Sequence, residues 1–357
     1  MKKLIALFLA LAMLASLAGC AGTTVVVGNC TCPPERHEPP AETPAETPDE
    51  SAAGVLKTGL AIVPAVGESK SATAEANGTA KYDVTVVAVT VDEQGIIRSC
   101  VIDSIGAETQ FTAEGAFVEA GSKAVQTKNE LGEAYGMKAY AGAKYEWFEQ
   151  AAALADYAVG KTVEELKTGA VNEAGKAADA DLAAVATIYI GGYVSAIEKA
   201  VAGAQNLGAQ SGDVLKLSII TTLDATPAEN AGGTAQLNVD AAAVTMAGDV
   251  ITSCAIDALQ AKVEFDAAGV ITTDITAAPQ TKNELGEAYG MKAWAGAKFE
   301  WNEQAANFAS YITGKTVAEV AGIAVNEGTK PADGTDLAAS VTIAIGGFQA
   351  LIAKVAE

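Results

Sequence analysis

The apolar positions fall into short alternating runs and a helical stripe, and the set occurs twice. Tyr82 to Val91 is rich in β-branched residues in rough alternation, the pattern of a strand with one face in a core. Glu93-Gln94-Gly95 interrupts it, and Ile96 to Asp103 returns as a second strand, so the segment predicts a β-hairpin. Val239 to Met246, a turn at Ala247-Gly248-Asp249 and Val250 to Asp257 repeat it. Tyr140, Ala143, Trp147, Ala151, Leu154 and Tyr157 recur at helical spacing and predict one helix that Gly160 ends. Thr162-x-x-Glu165 has the form of a capping box opening a short helix, and recurs as Thr316-x-x-Glu319. A last helix contains Gly191-Gly192 and runs to about Ala202. Strands followed by helices, twice over, predict an α+β class.

The duplication is explicit in the residues. Gln126-Thr127-Lys128-Asn129-Glu130-Leu131-Gly132-Glu133-Ala134-Tyr135-Gly136-Met137-Lys138 recurs as Gln280 to Lys292. The match continues through Glu146-Trp147 and Glu149-Gln150 (Glu300-Trp301 and Glu303-Gln304) to Gly160-Lys161-Thr162-Val163 (Gly314 to Val317). The repeat is a domain in length, far longer than a solenoid unit, so the expectation is two tandem domains: 55–204 and 214–357, joined by a polar linker at 205–213.

What precedes the repeats changes the expected location. Met1-Lys2-Lys3 and the apolar run Leu4 to Leu14 have the form of a secretory signal, too short to span a bilayer. The run closes on Leu17-Ala18-Gly19-Cys20, which resembles the lipobox of bacterial lipoproteins. That resemblance implies a signal peptide over 1–19, lipidation of Cys20, and a chain anchored by lipid to the extracytoplasmic face of the cell membrane. Residues 20–54 are rich in Pro, Glu, Thr and Ala and predict an extended, solvated stalk without a core.

Composition narrows the chemistry. The net charge is -21, which disfavours nucleic acid as a partner. The one histidine, His37, lies in the stalk, so the folded part lacks a His-based triad, a His-rich zinc site or a His-ligated haem. Cys30 and Cys32 also fall in the stalk, whereas Cys100 and Cys254 occupy equivalent places in the repeats and read as buried thiols more readily than as a bridge.

The motif with most chemical content is an Asp ahead of a Thr. Asp181-Leu182-Ala183-Ala184-Val185-Ala186-Thr187 matches Asp336-Leu337-Ala338-Ala339-Ser340-Val341-Thr342, and both run on as Thr-Ile-x-Ile-Gly-Gly-aromatic. One residue is inserted upstream in copy two, yet the Asp-to-Thr spacing is kept. The spacing resembles the flavinylation motif of FMN-binding domains, and the resemblance covers most of both copies. It implies an FMN-binding-like fold and FMN joined covalently to Thr187 and Thr342, two groups per chain. Asp181 and Asp336 would be recognised by a flavin transferase that uses FAD. Val185 stands where the family usually has Gly and Val341 where it has Ala, and a bulky neighbour bears on access to the acceptor hydroxyl.

In the same family a Gly-rich loop contacts the isoalloxazine. The resemblance assigns that role to Leu131, Gly132, Tyr135, Gly136 and Met137, with Leu285, Gly286, Tyr289, Gly290 and Met291. The residues alone fit equally a helix-entry turn whose aromatic packs in the core. Trp147 and Trp301 read as core. Thr127 and Thr281 are second acceptor candidates lacking the upstream Asp, and Glu146 with Glu149, three apart on one helix, is a candidate acid/base pair beside the reading of a solvated face. No nucleophile with an activating base is visible, so a carrier is expected before an enzyme.

The signal, lipobox, stalk and two such domains are together similar to flavinylated peptide-pheromone lipoproteins of Gram-positive extracellular electron transfer. That similarity implies electrons received from a membrane quinone-linked reductase and passed to extracellular acceptors. A cofactor-free cell-surface binding or adhesion lipoprotein is the alternative, and a peptide signal released from the leader is compatible with either.

Overall fold

Strand pairing in the computed structural model, which describes residues 54–356, explains why the hairpin residues alternate so imperfectly. In copy one, β1 (Lys57–Ala65), β2 (Gly78–Val91) and β3 (Ile97–Phe111) form an antiparallel sheet in that order. In copy two, β5 (Val214–Pro227), β6 (Gly233–Ala247) and β7 (Val250–Phe265) do the same, and β4 (Gly121–Ala124) of copy one adds to the edge at β5. The two sheets pack on each other, β1 against β7, β2 against β6 and β3 against β5. Helices cover their outer faces. Val87, Val89 and Val91 therefore face a helix layer, while Tyr82, Val84 and Val86 face the other sheet, and both sets are buried. A strand buried on both faces has no polar side to alternate with.

The protein is thus mixed α+β with antiparallel sheets of three and four strands, and the described residues form one compact unit. The inter-sheet core takes residues from both copies: Ile62, Tyr82, Ile105 and Phe111 with Leu223, Leu237, Val263 and Phe265. Matched residues meet across a local two-fold. Phe111 stacks on its counterpart Phe265 with ring centroids 3.9 Å apart and planes inclined by 6°. Lys199 pairs with Glu284, and the matched Lys354 pairs with Glu130, so each copy's terminal helix is tied to the other copy's Gly-Met motif. The 205–213 stretch is hydrogen-bonded to the start of β1, with Thr58 N–H donating to Gln205 O at 2.8 Å and Leu56 N–H to Ala209 O at 2.9 Å.

The helices of copy one are α1 (Lys128–Leu131), α2 (Met137–Ala141), α3 (Trp147–Ala158), α4 (Val163–Gly169), α5 (Ala180–Val185) and α6 (Gly191–Ala202). Those of copy two are α7 (Lys282–Leu285), α8 (Met291–Ala295), α9 (Trp301–Ile312), α10 (Val317–Ala321) and α11 (Gly346–Ala353). Both Thr-x-x-Glu boxes cap helices as the sequence predicts, and the last helix of copy one ends at Ala202. The single helix expected from Tyr140 to Tyr157 is instead two. Gly142 takes a left-handed conformation (φ 63°) and closes α2, and Glu146 opens α3 as an N-cap. Tyr140 consequently leaves the core and is 89% exposed.

Among the described residues no helix is long and apolar enough to cross a membrane. The signal segment, Cys20, Cys30, Cys32, His37 and nearly all of the stalk lie outside the described residues. Cys100 and Cys254 are both free thiols, and burial pushes each up to about 12.

Candidate functional site

The N-terminal turn of α3 organises the site in copy one, and α9 does so in copy two. Glu146 caps α3, and its two oxygens accept the N–H groups of Met137 (2.8 Å) and Lys138 (3.1 Å). Glu300 does the same for Met291 and Lys292 at 2.8 and 3.0 Å. Glu149 completes a capping box by accepting Glu146 N–H, and pairs with Lys138 at 2.6 Å, which holds its carboxyl below the usual range. These bonds correct the acid/base reading of Glu146 and Glu149. Glu146 is buried with both oxygens engaged by backbone donors, so it fixes the Gly-Met loop.

One turn farther along lies a residue the sequence reading passed over. Gln150 is fully buried, and its Oε1 accepts Thr187 N–H (2.8 Å), the Thr187 hydroxyl (3.1 Å) and Ile188 N–H (3.1 Å). Its Nε2 donates to Tyr145 O at 3.0 Å. Gln304 repeats this with Thr342 N–H (2.7 Å), the Thr342 hydroxyl (3.2 Å), Ile343 N–H (3.2 Å) and Phe299 O (2.9 Å). Glu146 and Gln150 stand four residues apart on one helix face, so a single turn holds the Gly-Met loop and the threonine segment together. The available signal was the retention of both residues in the repeated Glu-Trp-x-Glu-Gln string.

Thr187 and Thr342 are exposed, while the residues before them, Ala186 and Val341, are buried. Val341 therefore sits in the core of copy two, packed with Trp301 and Phe348, and does not cover the acceptor hydroxyl. Val185 is half-buried at the end of α5. Asp181 and Asp336 are exposed. Asp179, not Asp181, is the N-cap of α5, accepting the N–H groups of Asp181 and Leu182. Asp336 opens a single 3-10 turn over Leu337–Ala339. Neither Asp is hydrogen-bonded to its Thr.

The Gly-Met loop resolves into turns. Gly132 (φ 51°, ψ −123°) ends α1, and Gly136 (φ 81°) separates a 3-10 turn from α2; Gly286 and Gly290 match them. A Cβ on Gly136 would lie 2.4 Å from the Tyr140 ring, and one on Gly290 would lie 2.3 Å from the ring of Trp294. Each exposed aromatic therefore folds over a left-handed glycine. Thr127 and Thr281 are buried N-caps whose hydroxyls accept the N–H groups of Glu130 and Glu284, which removes them as acceptor candidates.

In copy two a cavity of about 420 Å3 opens at the residues that follow Thr342. Tyr289 and Met291 from the loop, Trp301 from α9, Ile343 and Ala344 just past the threonine, Gly347 and Phe348 from α11, and Asp240 from β6 line it. Leu285, Gly286 and Gly290 do not line this cavity; Leu285 and Gly286 form the end of α7, as Leu131 and Gly132 form the end of α1. Trp301 is core, as expected of it, and also forms part of the wall. Lys282 lies over the Tyr289 and Trp301 rings at 5.1 and 4.8 Å, as Lys128 does over Tyr135 and Trp147. Burial raises the Asp240 carboxyl above the usual range, with Lys282 opposing the shift. In copy one Tyr193 replaces Phe348, and its hydroxyl accepts Trp147 Nε1–H at 3.0 Å.

The geometry defines an α+β protein of two sequence copies with an exposed threonine in each, held by a buried glutamine, and, in the second, an aromatic-lined cavity at the residues that follow the threonine. Comparison of the chain with protein-family models, curated proteins and solved structures finds no match to any of them.

Proposed function

We propose that the protein is an extracytoplasmic electron carrier with one FMN attached covalently to Thr187 and one to Thr342. The observation that carries this reading is the placement of Thr342. Thr342 is exposed, its hydroxyl is fixed by Gln304, and the two residues that follow it, Ile343 and Ala344, line a cavity walled by Tyr289, Met291, Trp301 and Phe348. Apolar walls with a few placed polar groups suit a planar heteroaromatic ring, and the volume falls in the range of small-molecule sites. The phosphate linkage also has a favourable place. The threonine precedes the N-terminus of α11, where helical N–H groups favour an anion, and a Cβ on Gly347 would meet nothing within 4 Å.

When bound, the flavin supplies the redox chemistry; Gln304 orients the attachment residue, Met291 and Trp301 exclude water, and Asp240 with Lys282 sets the local charge. Attachment joins Thr Oγ1 to the FMN phosphorus and releases AMP from FAD, a step performed by a flavin transferase. The lipobox-like Cys20 and the stalk would hold the carrier near a membrane reductase and near extracellular acceptors. The test is co-expression with a flavin transferase, followed by in-gel flavin fluorescence after denaturation and intact mass. Two FMN groups, absent in Thr187→Ala/Thr342→Ala, support the reading. A colourless, unmodified protein rejects it.

A second reading, a cofactor-free surface-binding module, draws on Tyr140 and Trp294, matched aromatics that are 89% and 90% exposed. It is favoured if that protein proves colourless.

A further inference from the structure

The two threonine sites share most of their walls but differ in charge. Tyr289, Met291 and Trp301 of the copy-two cavity recur unchanged in copy one as Tyr135, Met137 and Trp147. One cation also recurs. Lys282 stands over the Tyr289 and Trp301 rings at 5.1 and 4.8 Å, and Lys128 over the Tyr135 and Trp147 rings at 5.1 Å each. The ion pairs beside the Gly-Met loop, Lys138 with Glu149 and Lys292 with Glu303, are matched as well. These charges act alike on both sites.

The strand residue at the site breaks the match. Asp240 of β6 lines the copy-two cavity, and its counterpart is Thr85 of β2. Strand register fixes the correspondence, because Asp240 pairs with Ala258 and Thr85 with Ser104, each four residues past the matched Cys254 and Cys100. Both are half-buried on the strand face turned to the helices, two residues before Ala242 and Val87 respectively. Among the described residues no hydrogen bond holds the Asp240 carboxylate; desolvation and the Lys282 charge are what act on it. Its own charge is therefore left to act on whatever fills the cavity, across a medium less polar than water. Thr85 puts a neutral hydroxyl in the same place.

We propose that the two sites hold their flavins at different potentials, the Asp240 carboxylate making the copy-two flavin the harder to reduce, so that electrons held by the chain rest on copy one. This rests on the flavin reading above. Reduction adds electron density to the ring system; Lys282 and Lys128 favour that alike, and an adjacent carboxylate opposes it in copy two. In the exchange between sites the copy-two flavin is oxidised and the copy-one flavin is reduced by the same two electrons, with protons released to solvent at one site and taken up at the other.

The test uses the full chain co-expressed with a flavin transferase, with Thr187→Ala leaving the copy-two flavin alone and Thr342→Ala leaving the copy-one flavin alone. Reduction potentials are read by spectroelectrochemistry at about pH 8, where Asp240 is ionised despite the upward push of burial. The copy-one flavin should be favoured for reduction by roughly tenfold or more, which for a two-electron couple is about 30 mV. Asp240→Asn keeps the side-chain size and should close most of that gap in Thr187→Ala protein. Thr85→Asp should lower the copy-one potential in Thr342→Ala protein, and circular dichroism checks the fold of each. Equal potentials, a higher copy-two potential, or a folded Asp240→Asn protein with the copy-two potential unmoved overturns the proposal while flavin attachment stands. A chain that stays unmodified is a separate result, which rejects the flavin reading and this proposal with it.

Discussion

The amide oxygen of Gln304 accepts two hydrogen bonds from Thr342, from its N–H at 2.7 Å and its hydroxyl at 3.2 Å. Gln304 is fully buried whereas Thr342 is exposed, so an interior side chain sets the position of a surface hydroxyl. Gln304→Leu keeps the bulk of the side chain and removes the acceptor. It should lower stability by about 1–3 kcal/mol, read from the urea midpoint. Under the flavin reading it should also reduce FMN incorporation at Thr342 while leaving Thr187 modified, which peptide mass mapping distinguishes.

Trp294 is the exposed member of a trio whose other two, Trp147 and Trp301, are buried. Acrylamide should therefore quench a solvent-exposed component of the fluorescence that Trp294→Phe removes. Gly290→Ala places a Cβ at a positive φ and against the Trp294 ring. It should cost roughly 1–2 kcal/mol, and it should alter that same quenchable component because the ring must move.

Phe111 and Phe265 are matched residues that stack on each other in the core shared by the two sheets. Phe111→Ala should destabilise the protein by about 3–5 kcal/mol. Because that core takes side chains from both copies, urea unfolding of the wild type should be one transition. Two well-separated transitions in the wild type would contradict this.

Asp257 is buried midway along β7, where its Oδ1 accepts the N–H groups of Ala258 and Asn283. Burial pushes its carboxyl up from 3.8 to about 6. The folded state then binds more protons than the unfolded state between those values, so this group's contribution to stability falls as pH rises through the window. Asp257→Asn retains an acceptor and removes the titration. Its stability relative to wild type should grow by about 2 kcal/mol between pH 4 and pH 7, measured by paired urea titrations.

Much of the local structure was legible because it depends on neighbours in sequence. The hairpin turns, the Thr-x-x-Glu caps and the end of the last helix each follow from a few adjacent side chains and their backbone bonds. The break between α2 and α3 was missed because the apolar stripe ran through it. Periodicity counts apolar positions and is blind to a left-handed Gly142 followed by a capping Glu146. The first strand of each copy, β1 and β5, was not delimited either. Strands covered on both faces lose the alternation that would reveal them.

The candidate site divides in the same way. Duplication in the sequence identified Thr187 with Thr342 and the Gly-Met loop as matched features, and the leader and stalk set the expected location. Sequence alone did not show that Gln150 and Gln304 hold the threonines, because that contact joins residues 37 or 38 positions apart. It also did not show that Thr127 and Glu146 are already committed to backbone bonds. Nor did it show that the two copies bury their sheets against each other. These are long-range facts: burial and hydrogen-bond partnership depend on what the rest of the chain brings alongside, and a residue's type and its neighbours do not specify that.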